Sequence, residues 1–194
     1  MKFVIIVGPP AAGKAAVGAA LGERYGFKLF HNHVSVDAVT QVFEWGSPSF
    51  GRLVETIRRD FIAEAAESGI DLVFTFVWDF DDARDQAIME RYRDIASAKG
   101  GDVYFVELFA EQAERIRRNV LPERLAMKRR TAESNTAEWI DRLDRQHRLN
   151  TDATHPFPLD APYLRIDNTR VHPLAVAELV GEAFGFEEIA RAAT

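Results

Sequence analysis

Five short runs of apolar residues, most of them β-branched or aromatic, punctuate the chain: KFVIIV at 2–7, FKLF at 27–30, DLVFTFVW at 71–78, DVYFVELF at 102–109 and YLRID at 163–167. Apolar runs without strict alternation suit strands covered on both faces. Between them, apolar positions recur at helical spacing over 14–25, 34–44, 49–68, 82–98, 111–119, 135–148 and 173–184. Several of these stretches are closed by a glycine, as at Gly26, Gly69 and Gly100. Strand followed by helix throughout predicts an α/β fold. Its parallel, doubly wound sheet would carry helices on both faces and ligands at the carboxyl ends of the strands.

Two segments break that rhythm. Residues 111–148 are helical in pattern with no strand, which fits either a lid or a plain surface hairpin. Residues 150–162, NTDATHPFPLDAP, hold three prolines and forbid regular structure. Neither an internal repeat nor a low-complexity tract is present.

Composition narrows the classes. With 194 residues, 47% of them hydrophobic, the chain suits one domain with a sizeable core. A net charge of −6 argues against nucleic acid and membrane surfaces as partners, since both attract basic faces. The charge is uneven: 111–148 carries ten Arg or Lys against seven Asp or Glu, hence +3, which leaves −9 for the remainder. The chain has no cysteine, which removes disulfides, thiolate metal sites and thiol nucleophiles. The apolar run FVIIV is too short for a signal-peptide core, and no run approaches the ~20 residues of a membrane span. The expectation is a cytoplasmic protein acting on a small molecule, as a monomer or homodimer.

The first run ends in Gly8-Pro9-Pro10-Ala11-Ala12-Gly13-Lys14, which matches the GxxxxGK phosphate-binding loop. In that loop successive backbone N–H groups turn inward and the lysine reaches the β and γ phosphates. Three fixed positions would arise by chance in about one chain in fifteen of this length, so location carries the argument. The string lies between the strongest strand and the helix GKAAVGAALGERYG, whose N-terminus adds a positive dipole end. Ala15 and Ala16 stand where a Ser or Thr would ligate Mg²⁺. Because Mg²⁺ keeps several waters beside phosphate oxygens, a water can take the vacated position.

Other candidates cluster at strand ends. After the second run come His31, Asn32, His33, Ser35 and Asp37, polar groups placed to contact substrate. His31 and His33 would alternatively face opposite sides of the strand end, and two histidines without a third ligand make a poor zinc site. Asp37, one helical turn past His33, is placed either to serve as base for a substrate hydroxyl or simply to favour the start of a helix. Asp79 is the acid best placed to contact substrate and to hold Mg²⁺ through water, whereas Asp81 or Asp82 suits a helix cap. Glu107, an acid inside an apolar strand, needs an arginine or a cleft. In the basic segment, Arg117 is the candidate nucleotide contact and Arg124 and Arg130 are candidates to neutralise a transferring phosphoryl group. Asp167 and Asn168 end the last run, where a loop can flank a nucleotide base.

In the order of these parts the sequence resembles the small P-loop kinases, the group that includes shikimate kinase, chloramphenicol phosphotransferase and nucleoside monophosphate kinases, over nearly its whole length. GPPAAGK, KLFHNHVSVDAV, GSPSF, FTFVWD and RIDNT are similar to loosely defined P-loop ATPase or shikimate kinase-like proteins. The resemblance implies a three-layer P-loop fold with a five-stranded parallel sheet over residues 1–194, ATP and Mg²⁺ as cofactors, an acceptor near His31–Asp37, and a lid within 111–148. It implies an ATP-dependent phosphotransferase acting on a small hydroxyl-bearing or phosphorylated metabolite, or else a nucleotide-binding regulatory protein or weak ATPase. That family usually carries a threonine where Ala16 stands. Shikimate kinases carry an acid pair where this chain has His31-Asn32-His33, so shikimate itself is not implied.

Overall fold

After Lys2, nothing in β1 (Lys2–Val7) is polar, and this dictates its place. Phe3, Ile5 and Val7 point to one side of the strand and Val4 and Ile6 to the other, all wholly buried, so β1 has to lie mid-sheet with helices on both faces. The computed structural model describes residues 1–121 and 136–189. In it β1 pairs with β3 (Leu72–Thr75) on one side and β4 (Asp102–Phe109) on the other. Outside these lie β2 (Lys28–His31) and β5 (Tyr163–Asp167), so the order is β2-β3-β1-β4-β5, with every pairing parallel. The parallel five-stranded sheet implied by the sequence is thus the architecture found.

Helices α1 (Lys14–Tyr25) and α7 (Pro173–Phe184) cover one face, where Val17, Leu21, Val176 and Val180 meet Val4, Ile6, Val106 and Leu108. Helices α3 (Pro48–Glu67) and α4 (Ala83–Ser97) cover the other, where Ile62, Met89 and Tyr92 meet Phe3, Ile5, Phe74 and Phe105. Each fully buried side chain of this size stabilises the fold by roughly 1.5–3 kcal/mol. Local chemistry sets the helix starts. The Ser47 hydroxyl accepts from Phe50 N ahead of α3, and the Asp82 carboxylate accepts from Arg84 N ahead of α4. Short α2 (His33–Val39) follows β2. In the basic excursion, α5 (Gln112–Asn119) and α6 (Ala137–Gln146) pack together through the ion pair of buried Arg115 with Asp144.

Two elements are much shorter than the sequence pattern predicts. The third strand, expected to reach Trp78, stops at Thr75. Phe76 N still bonds to Ile6 O at 2.9 Å, but β1 and β2 end there and no partner continues. The apolar run persists because Trp78 is buried against Phe80, Phe105 and Phe157, so core packing accounts for it and strand pairing does not. The helix expected to reach residue 44 stops at Val39, and Val42 and Trp45 beyond it are 77% and 70% exposed; with no surface to bury them, their spacing does not sustain a helix.

The approach of α1 to α7 is tight at Gly181, where a Cβ would fall 2.0 Å from the Tyr25 hydroxyl oxygen. Gly181→Ala should therefore lower stability by roughly 1–3 kcal/mol in urea unfolding through overpacking, opposite in sign to the gain that alanine brings to an open helix.

Candidate phosphate-binding site

Parallel strands deliver all their carboxyl ends to one edge of the sheet. β1 ends in the middle of that edge in the loop Gly8–Gly13, flanked by the ends of β3 and β4. The end of β2 at His31 lies two strands from the loop strand, roughly 10 Å away at ordinary strand spacing. The end of β5 at Asp167 lies two strands off on the opposite side.

The loop turns because its backbone enters left-handed conformations at three places: Gly8 at φ 133°, Ala11 at φ 64° and Gly13 at φ 99°. Only glycine suits the first, where a Cβ would fall 2.3 Å from the carbonyl oxygen of Leu108. At Ala11 an ordinary L-residue holds that conformation at a cost of about 1–2 kcal/mol, strain of the kind that gathers at ligand-binding loops. α1 starts directly after Gly13 with no side-chain cap, so its first-turn N–H groups face the loop mouth. Lys14 Nζ lies folded into the loop, donating to Gly8 O at 2.6 Å and Pro9 O at 2.8 Å.

On the β5 side, two side chains brace the loop. Buried Asn168 donates from Nδ2 to Ala12 O at 2.7 Å, while its Oδ1 is buried with no hydrogen-bond partner among the described residues. Arg118 donates to Ala12 O at 3.2 Å and to Asn168 O and Thr169 O at 2.9 Å each. Glu114 orients that guanidinium, accepting from Arg118 Nε at 2.7 Å. With Arg117 and Arg118 beside it, the pKa of the Glu114 carboxyl is lowered to about 2, so the brace is ionised at neutral pH. Arg117, the expected nucleotide contact, instead points outward with its side chain 64% exposed and paired to Glu114. Helical geometry turns the next residue, Arg118, onto the loop. Asp167 accepts from the backbone N–H and hydroxyl of Thr169, and this local turn lowers its pKa.

On the β2 side, His31, Asn32, His33, Ser35 and Asp37 gather as expected at the strand end and the first turns of α2. The His31 and His33 rings lie 6.5 Å apart, adjacent and not on opposite faces. Arg58, which sequence reasoning passed over, holds this turn from α3. It is buried, donates to Ser35 Oγ at 3.0 Å and Asn32 O at 3.4 Å, and stacks over Phe74 and Phe76. Burial lowers its pKa. A cation on an amphipathic helix gives no sequence signal that it will be buried.

Asp79 does not occupy the place expected of a strand-end acid. It lies four residues past β3, where His147 Nδ1 approaches its Oδ2 at 2.7 Å and Arg148 N and Asp81 N donate to its Oδ1 at 3.2 and 3.1 Å. The carboxylate thus ties down the chain that leaves α6. Glu107, wholly buried, accepts from Asn150 Nδ2 at 2.8 Å, Thr151 N at 2.9 Å, Tyr163 Oη at 2.7 Å and Arg165 Nε at 3.2 Å. It meets an arginine, one of the two environments expected for it. Arg124 and Arg130 lie outside the described residues.

These donors do not fit a protein-liganded Mg²⁺. Positions 15 and 16 carry methyl groups, the Asp79 carboxylate is engaged elsewhere, and among the described residues no group of three or more His, Cys, Asp or Glu could hold a metal ion. No described helix is long and apolar enough to cross a membrane.

No family model matches the chain, and no curated protein matches it in sequence. Solved structures do match. A sugar kinase from Janibacter superposes with a TM-score of 0.64 at 11% identity, over 96% of this chain and 95% of the other. The tunicamycin resistance protein of Deinococcus radiodurans superposes with 0.59 at 18% identity, over 98% and 99%. Shikimate kinase from Bacteroides thetaiotaomicron superposes with 0.59 at 16% identity, over 94% and 98%. The chain has the α/β fold of the small P-loop kinases, and at these identities the likeness concerns the fold.

Restoring the missing hydroxyl tests the metal analysis. Ala15→Ser or Ala16→Thr should tighten the Mg²⁺ dependence of ATP binding while leaving metal-free affinity nearly unchanged, as read by titration calorimetry with and without chelator.

Proposed function

We propose that the protein is an ATP-dependent phosphotransferase acting on a small hydroxyl-bearing or phosphorylated metabolite. The carrying observation is the loop Gly8–Lys14. Its strained turns, its lysine folded between loop carbonyls and the helix N-terminus behind it form an anion cradle set where β1 ends mid-sheet. Arg118 and the buried Oδ1 of Asn168, which has no hydrogen-bond partner among the described residues, supply beside the loop a cation and an acceptor suited to a nucleotide.

In this reading ATP lies with its phosphates over Gly8–Ala16 and its base towards Asp167–Asn168. The acceptor lies across the mouth, beside His31, Asn32 and His33. Catalysis is positioning and charge neutralisation: Lys14 holds the transferring phosphoryl group and Asp37 takes the acceptor proton. In this reading the chain acts as one domain, and α5 and α6 belong to an insert that contributes Arg118 to the loop, the stretch between them lying outside the described residues. Missing hydroxyls at Ala15 and Ala16 favour a second reading, a nucleotide-binding regulatory protein or slow ATPase without efficient transfer.

Lys14→Ala should abolish most ATP affinity in calorimetry with the fold intact; unchanged affinity would remove the loop from consideration. Asp37→Asn should leave ATP binding nearly intact and lower transfer by the ~10²- to 10⁴-fold of a positioned base. Wild-type protein that binds ATP but transfers to no acceptor in a metabolite panel would favour the regulatory reading.

A further inference from the structure

We infer that Asn150 is a positioning residue for the phosphate loop, acting through the carbonyl of Leu108 and itself oriented by Glu107; the inference rests on the nucleotide-binding reading above. The Leu108 oxygen lies against Gly8, closer than any side chain there would tolerate. The pairing of β1 with β4 ends at Val7 opposite Glu107, and the loop that follows brings Pro9 and Pro10, which have no N–H to offer. The donor comes instead from Asn150 Nδ2, at 3.1 Å from Leu108 O and 2.8 Å from Glu107 Oε1.

Glu107 fixes the orientation of that amide. As a carboxylate it only accepts, so it draws the NH₂ end of Asn150 inward, and the same NH₂ group then serves Leu108. Glu107 is itself wholly buried and held by Thr151 N, Tyr163 Oη and Arg165 Nε. Without Asn150, the Leu108 carbonyl would be left without this donor beside a loop whose inward N–H groups are what bind phosphate. A buried acceptor short of a donor costs free energy and competes for the nearest N–H groups. Asn150 thus keeps the loop's N–H groups available to the ligand without touching the ligand itself.

ATP titration calorimetry on wild type and Asn150→Leu, together with urea unfolding and amide NMR shifts of Gly8–Lys14, tests this. Asn150→Leu is expected to weaken ATP binding about tenfold and to shift the Gly8 and Ala11–Gly13 amides in the free protein. Should Asn150→Leu fail to fold, Asn150→Ser, whose side chain is too short to serve both acceptors, carries the same expectation. Unchanged ATP affinity and unchanged loop amides, with only a lower urea midpoint, would make the contact purely structural and overturn the inference. A wild type that binds no ATP would instead overturn the nucleotide reading, and the inference with it.

Discussion

The organisation of the candidate site depends on one close approach, that of the Gly8 backbone to the carbonyl of Leu108. It forces glycine at the end of β1 and turns the chain out of the sheet. The turn is completed through a left-handed alanine and a second glycine, and α1 then begins with uncapped N–H groups facing the turn. Were the chain to continue straight, β1 would run on beside β4 and the turn over Gly8–Gly13 would not form. Because β1 is the middle strand, the loop lies between the polar groups after β2 and those after β5.

The two flanks of the loop are braced by different physical means. On the β5 side, Arg118 and Asn168 converge on the Ala12 carbonyl, a hydrogen-bonded joint between residues more than a hundred positions apart in part. On the β2 side, Arg58 is buried and anchors the Asn32–Ser35 turn through neutral acceptors and aromatic faces. A buried guanidinium held this way is costly to desolvate, and here the cost goes with fixing the turn that carries His31 and His33. Glu107 plays the corresponding part beneath the loop, where four donors compensate a carboxylate with no solvent exposure.

The loop lacks a hydroxyl after Lys14, where the GxxxxGK[ST] pattern places a Ser or Thr. Phosphate affinity in such loops comes mainly from backbone N–H groups, the helix dipole and the lysine, none of which needs that hydroxyl. Any effect of its loss would fall on a metal ion held beside the phosphates, not on the anion contacts themselves.

The sequence by itself determined the sheet. Strands over 2–7, 102–109 and 163–167 and helices over 14–25 and 173–184 have the bounds that apolar runs, capping glycines and Pro173 predict, because these signals are local. It also determined the loop, since backbone conformation and a single lysine suffice to define it. Only tertiary structure decided which polar side chains lie at the candidate site. Whether Arg117 or Arg118 turns to the loop depends on how α5 docks, and the place of Asp79 depends on where β3 loses its partners. The roles of Arg58 and Asn150 depend on contacts 23 to 43 residues away in sequence. Periodicity reports which face of an element is apolar, whereas a buried polar contact depends on what another element brings to meet it.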